Sequence, residues 1–167
     1  FFFFIVKAVH QPEDLCDRYP PAGVDIMDSE LAHRIRIFGI GPDDPDLICD
    51  ADMHGEVTVH RGDPVIDPVT GRCTIPTEIV AMELAGNDPN CGEVILRINP
   101  NMPSLGHIQQ QIPGNDFPAD SFFDVFVEVE IPSQGLVLAN CTPVRMERVI
   151  NAIPPINQFY VLRDLVD

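Results

Sequence analysis

Hydrophobic and polar residues alternate along several short segments of the chain, most clearly at residues 123–131. There the odd positions are all apolar, and three of the four even positions are acidic. A period of two with many β-branched residues predicts a β-strand with one buried face. Pro132 and Gly135 then mark a turn, so residues 136–138 are predicted to pair back as the second strand of a hairpin.

Similar alternation, or a short apolar run between turn residues, recurs along the rest of the chain. It predicts further strands at residues 34–38, 56–60, 77–84, 93–98, 107–111 and 159–162. Residues 144–150 fit either a short helix that begins after Pro143 or an edge strand. Residues 39–52 are rich in Gly, Pro and Asp and are predicted to form a loop. This spacing of short strands predicts an all-β fold, an antiparallel β-sandwich with long Pro-rich loops.

The first ten residues depart from the pattern because both faces of the strand they predict are apolar. The most apolar residues there are Phe1, Phe2, Phe3, Phe4, Ile5 and Val6. The stretch is shorter than the roughly 20 residues of a membrane-spanning helix, so no membrane insertion is expected. A strand that is apolar on both faces must be covered on both. The predicted organisation is an apolar N-terminal arm at residues 1–10, a linker at 11–30 and a sandwich domain at 31–167.

The arm can be covered in two ways. It can dock in its own domain as a first strand, or it can insert along the edge of a neighbouring subunit's sheet and add a strand there. A linker of about 20 residues reaches roughly 65 Å when extended. Donation from each subunit to the next does not close on itself, so it would build a filament.

Composition narrows the function. The chain has 167 residues, the size of one domain. It carries 10 Lys and Arg against 26 Asp and Glu, for a net charge of −16. Nucleic acids and anionic membrane surfaces are recognised by clustered cations, so both classes of partner are excluded. The 17 prolines leave little room for long helices.

Five cysteines occur without a CxxC pair: Cys16, Cys49, Cys73, Cys91 and Cys141. They stand near turn residues in an acidic, Lys-poor chain, which favours disulfides in an oxidising compartment. Two disulfides and one free thiol fit the count, and the pairing stays open. The alternative is five reduced, buried cysteines. Asn140-Cys141-Thr142 is a glycosylation sequon, which makes Asn140 a candidate glycosylation site in a surface loop.

A concentration of acidic residues marks a candidate calcium site. The residues are Asp43, Asp44, Asp46, Asp50 and Asp52. Calcium binds clustered oxygen ligands on flexible loops, although the order of these residues does not match the EF-hand loop. The alternative is a solvated acidic loop without an ion.

No enzyme is predicted. The sequence lacks a nucleophile elbow of the Gly-x-Ser-x-Gly type. It also lacks the Gly-rich phosphate-binding motifs of nucleotide-binding proteins. No catalytic residues are assigned and no cofactor is expected to be required, with Ca²⁺ as the one candidate ion.

Residues 77–155 carry a resemblance to a known type of module. Its most specific part is Phe117-Pro118-Ala119-Asp120-Ser121-Phe122-Phe123-Asp124, and Ser104-Leu105-Gly106-His107-Ile108 and Ile153-Pro154-Pro155 also belong to it. This stretch resembles a β-rich module of large, uncharacterised secreted proteins of environmental bacteria, planctomycete-like ones among them. The resemblance implies an extracellular setting and a structural or adhesive role, and it implies no activity.

The sequence thus predicts an extracellular or cell-surface structural protein whose partner is a second copy of itself. Subunits would assemble into a filament or surface layer by donating residues 1–10, with the sheet around residues 123–131 as acceptor. The alternative function is a calcium-dependent adhesive or ligand-binding module centred on residues 43–52.

Overall fold

The computed structural model describes residues 16, 18–37, 45–158 and 160–162, and these residues form eleven strands and no α-helix. The strands are β1 (Gly23–Ile37), β2 (Leu47–Arg61), β3 (Val65–Ile66), β4 (Cys73–Asp88), β5 (Gly92–Ile98), β6 (Ser104–Ile112), β7 (Asn115–Val125), β8 (Val127–Ile131), β9 (Leu136–Ala139), β10 (Val144–Ile150) and β11 (Val161–Leu162). A 3-10 helix at Pro132–Gln134 joins β8 to β9. The described residues contain no helix that could cross a membrane.

The sheet is arranged around β4. One edge of β4 pairs with β2, which in turn pairs with β1. The other edge pairs with β6 along the first half of β4 and with β5 along the second half. On one branch β6 pairs with β7, β7 with β10 and β10 with β11. On the other branch β5 pairs with β8 and β8 with β9. Every pairing is antiparallel, which confirms the predicted all-β, sandwich-like fold.

Three pairs of consecutive strands lie end to end in the two halves of the sheet, with a break between them: β5 and β6, β7 and β8, and β9 and β10. Phe126 leaves the ladder at the break between β7 and β8. The buried Ser104 hydroxyl accepts a hydrogen bond from the Phe126 N–H at 2.9 Å, and the Asn99 N–H donates to the Phe126 carbonyl at 2.9 Å. The backbone groups freed at the break are therefore satisfied by neighbouring residues.

At the break between β9 and β10, the side chain of Asn140 satisfies backbone groups of the neighbouring strands. Its Oδ1 accepts a hydrogen bond from the Val127 N–H at 2.7 Å. Its Nδ2 donates to the carbonyls of Val125 and Thr142 at 3.0 and 2.8 Å. The side chain is buried, so it stands in for the ladder hydrogen bonds that the adjacent strands lose.

A β-bulge at Val80 keeps one face of β4 apolar along its whole length. The register between β2 and β4 shifts there by one residue. Buried side chains occupy odd positions up to Ile79 and even positions from Met82 onward. One inserted residue reverses the alternation, so both halves of β4 turn the same face to the core.

Two of the predicted boundaries are wrong at β1 and β2. β1 begins at Gly23, inside the predicted linker, and β2 begins at Leu47, inside the predicted loop at residues 39–52. In β2 the buried Cys49, Ala51 and Met53 alternate with exposed polar residues, so the acidic residues there belong to the solvent face of a strand. The loop was predicted because the many Asp residues of this segment are typical of loops, although the alternation was present.

The other strands follow the prediction closely, with two refinements. Residues 144–150 form a strand, which settles the choice left open between helix and strand. Residues 123–131 form two strands and not one, because β7 pairs with β6 and β10 whereas β8 pairs with β5 and β9. The hairpin of residues 136–138 is confirmed, with Gly135 in the left-handed conformation that its turn requires.

The Asn140→Ala substitution tests the role of the interrupted strands. It leaves the Val127 N–H and the Val125 carbonyl without their partner, so we expect the free energy of unfolding to fall by about 2–3 kcal/mol. Urea denaturation followed by circular dichroism measures the change. Asn87→Ala is the matched control, since Asn87 is exposed on β4. Equal losses in the two variants would contradict the role given to Asn140.

Candidate functional site

A cavity of about 1130 Å³ opens on one face of the sheet. It is lined both by β1 and by β9, which are five strands apart in the order β1-β2-β4-β5-β8-β9. In a flat sheet those strands would lie roughly 24 Å apart, at about 4.8 Å per strand. The sheet is therefore curved, and the cavity occupies its concave face.

The wall of the cavity is apolar. It is formed by side chains of β2, β4, β5, β7, β8 and β10, among them Val57, Leu84, Leu96, Val125, Val129 and Met146. Most of these side chains also belong to the main hydrophobic core. Four of the five apolar odd positions that predicted a strand at residues 123–131, all but Ile131, thus line the cavity.

The charged residues among the described lining all lie on β1 and β2, and we refer to this charged part of the lining as the mouth. They are Asp28, Glu30, Arg34, Arg36 and His54. The two arginines are neutralised by ion pairs, Arg34 with Asp50 at 2.6 Å and Arg36 with Asp46. The mouth therefore carries no surplus of positive charge.

A buried ion pair fixes β1, the strand at the mouth. The Arg61 guanidinium binds the Asp25 carboxylate through two nitrogens, and the two side chains are 11% and 12% exposed. Arg61 also donates to the Pro21 carbonyl at 2.8 Å. Charge-assisted bidentate contacts have a defined geometry, so this pair fastens β1 to β2 in one register.

The segment between β10 and β11 contributes a further part of the cavity lining. Pro154, Gln158 and Tyr160 of this segment line the cavity. The Tyr160 hydroxyl is 2.8 Å from the buried Ser121 hydroxyl, and its ring packs 5.8 Å from the ring of Phe123. Burial raises the pKa of Tyr160, so this phenol is neutral and the segment is anchored by an uncharged contact.

Two disulfides brace the sheet. Cys16 is bonded to Cys73 at the start of β4, and Cys49 of β2 is bonded to Cys91 at the turn after β4. The exposed Cys141 is a free thiol. The prediction of two disulfides and one thiol is confirmed, and it fits a compartment outside the reducing cytosol.

Asp88 organises the turn that carries Cys91. Its carboxylate accepts hydrogen bonds from the backbone N–H groups of Asp50, Asn90 and Cys91 at 2.9, 2.7 and 2.9 Å. These hydrogen bonds, with that from Asp50 the strongest contribution, hold the pKa of the carboxyl below its usual range. Asp88 therefore stays ionised and links β2 to the β4–β5 turn beside the disulfide.

The candidate calcium residues are divided by the structure. Asp43 and Asp44 lie outside the described residues. Asp46 and Asp50 form the ion pairs with Arg36 and Arg34, and Asp52 is exposed on β2. Within the described part of the chain, no group of three or more His, Cys, Asp or Glu side chains is placed to hold a metal ion. Calcium binding stays a prediction.

Two other predicted sites have different outcomes. The donor residues Phe1, Phe2, Phe3, Phe4, Ile5 and Val6 lie outside the described residues. The nitrogen of Asn140 that would carry a glycan is the one that donates to the Val125 and Thr142 carbonyls, and the side chain is 6% exposed. A glycan there would have to displace both hydrogen bonds. Glycosylation of Asn140 stays a prediction.

Comparison with protein families places the chain. A model of a family of unknown function, DUF6073, matches residues 12–160. The chain belongs to the DUF6073 family. No curated protein matches it.

A solved structure supports the fold of this DUF6073 chain. The chain resembles the structure of DynF from the dynemicin biosynthesis pathway of Micromonospora chersina, with a TM-score of 0.66 and 20% sequence identity. The alignment covers 87% of this chain and 72% of DynF. At this level of identity the likeness establishes a shared fold.

The cavity of this DUF6073 chain is not predicted by its sequence pattern. Alternation shows which side chains share a face of a strand, but it does not show that the sheet is curved and that the face encloses space. Gln158 and Tyr160 lie after the Pro154-Pro155 pair, in a region with no repeating pattern. The available signal is the apolar face of residues 123–131, which the sequence predicts to be the acceptor for a donated strand.

Proposed function

We propose that this chain is a non-catalytic extracellular protein that binds an apolar small molecule in the concave cavity of its sheet. The single observation that carries the proposal is the cavity of about 1130 Å³ with apolar walls. Ligand pockets in proteins typically enclose about 300–1,000 Å³ and are lined mainly by hydrophobic side chains. This cavity lies just above that range and has the same lining.

The walls support binding without rearrangement. They are strands of one hydrogen-bonded sheet, braced by the Cys49–Cys91 disulfide and by the ion pair of Arg61 with Asp25. A pocket that is already formed requires little ordering when the ligand enters, which favours affinity. Burial of apolar ligand surface supplies the driving force, at about 25 cal/mol per Å² removed from water.

The charges favour a ligand that is not anionic. The net charge of −16 repels anions at long range. At the mouth, the guanidinium groups of Arg34 and Arg36 are occupied by Asp50 and Asp46. A free carboxylate or phosphate on the ligand would therefore find no unpaired cation among the described residues that line the cavity.

Pyrene and a pair of Val→Trp variants test the proposal. Val129 on β8 lines the cavity, and an indole at that position fills part of it. We expect Val129→Trp to raise the Kd for pyrene at least about tenfold, or ~1.4 kcal/mol. The ratio of pyrene's vibronic emission bands, excited beyond tryptophan absorption, reports transfer to an apolar site.

Val137→Trp is the matched control. Val137 lies on the neighbouring strand β9, is 64% exposed and does not line the cavity. This variant is expected to bind pyrene as the wild type does. Absence of pyrene binding to the wild type, or an equal loss in both variants, would overturn the proposal.

A second candidate function is self-assembly by strand donation, and the free edge of β1 favours it. Among the described residues β1 pairs only with β2, so within that part of the chain its other edge has no neighbouring strand. Ile26 on this strand is 62% exposed. A long, partly apolar edge strand is a template for another strand, and residues 1–10 of a neighbouring subunit have the apolar character to fit it.

Deletion of residues 1–10 tests strand donation. We expect the full chain to form polymers visible by negative-stain electron microscopy and the deleted chain to sediment as a monomer. Ile26→Lys places a charge on the β1 edge and is expected to prevent polymers too, whereas Val69→Lys in an exposed turn leaves them intact. Polymers that persist after the deletion, or a full chain that stays monomeric, would remove this candidate.

A further inference from the structure

We infer that the ligand of the cavity carries a neutral hydrogen-bond donor, a hydroxyl or an amide N–H, which is accepted by the side-chain oxygen of Gln158. This inference rests on the proposed function and deepens it by naming the chemical class of the ligand. Gln158 lies on the segment between β10 and β11 and is one of the residues that line the cavity.

Asn140 and Tyr160, two of the other polar residues that line the cavity, are already engaged. Asn140 uses its oxygen for Val127 and both hydrogens of its amide for Val125 and Thr142. The hydroxyls of Tyr160 and Ser121 are hydrogen-bonded to each other. None of these three side chains needs a ligand to satisfy it.

Gln158 differs because its Oε1 is buried and has no hydrogen-bond partner among the described residues. A buried acceptor without a donor is destabilising, and native structures leave few of them. The terminal torsion of a glutamine is soft, so the oxygen can turn toward the cavity and gives up no hydrogen bond in doing so. A donor on a bound ligand would therefore satisfy a group that the protein leaves unsatisfied.

The Oε1 atom of Gln158 would also discriminate among ligands with different polar groups. A carboxylate on the ligand has only acceptor atoms, so it would repel Oε1 and would also meet the negative field of the protein. An ether has an acceptor and no donor. A hydroxyl or an amide N–H provides the donor without a charge, which selects a neutral, donor-bearing apolar molecule.

Three matched pyrene derivatives test this selection on the full chain. They are 1-pyrenemethanol, its methyl ether and 1-pyrenecarboxylate, and fluorescence anisotropy gives a Kd for each. The wild type is expected to bind the alcohol more tightly than the ether and the carboxylate. In Gln158→Met, which keeps the length of the side chain and removes its acceptor, the ratio of the ether Kd to the alcohol Kd should fall about fivefold to tenfold, the usual effect of one hydrogen bond.

Gln134→Met is the control, since Gln134 is exposed in the β8–β9 turn and does not line the cavity. It should keep the wild-type ratio, and melting temperatures check that both variants are folded. If pyrene and its derivatives bind but the ratio is the same in the wild type and Gln158→Met, or the carboxylate binds best, this inference is wrong and the proposed function stands. If neither pyrene nor any derivative binds the wild type, both are wrong.

Discussion

The satisfaction of backbone hydrogen-bonding groups where the long strands are interrupted is the constraint on which the rest of the structure depends. Where the ladder of this curved sheet is broken, each freed N–H or carbonyl that is buried needs a new partner. Ser104 and Asn140 supply those partners on either side of Phe126. The interruptions therefore permit curvature without leaving the backbone unsatisfied.

The curvature creates a wall that is apolar inside and acidic outside. The bulge at Val80 keeps the inner face of β4 continuous, and cross-strand pairs such as Arg34 with Asp50 occupy the solvent face. These exposed ion pairs contribute little stability. Under the proposed function their larger effect is on the cavity mouth, where they occupy the cations that would otherwise attract an anionic ligand. The ion pair of Arg61 with Asp25 is far less exposed and fixes the strand that borders the mouth.

Sequence patterning was sufficient for the fold class and for most strands, because period-two alternation is a local signal. It placed residues 123–131 in strands, whereas the two disulfides were favoured by composition and their pairing stayed open. It failed where a local composition outweighed the alternation, as at residues 47–52, where acidic residues on the outer face of β2 suggested a loop. The division at Phe126 could not be predicted, because it depends on which strands lie beside β7 and β8.

The candidate site was less accessible to sequence reasoning than the fold. Apolar positions in a filled core and apolar positions around a cavity give the same pattern, since both are inward-facing. Gln158 illustrates the limit: it is one glutamine among several, and only its buried, unpartnered oxygen in the folded chain distinguishes it.

The central claim is that the concave face of the sheet binds an apolar molecule. Methyl NMR of the full chain with labelled valine and leucine, titrated with pyrene, tests it most directly because it locates the probe. The account predicts shift changes and intermolecular contacts at Val57, Leu84 and Val129, whose side chains line the cavity. Changes confined to the exposed Val65, Leu105 and Val137, or no changes at all, would contradict it.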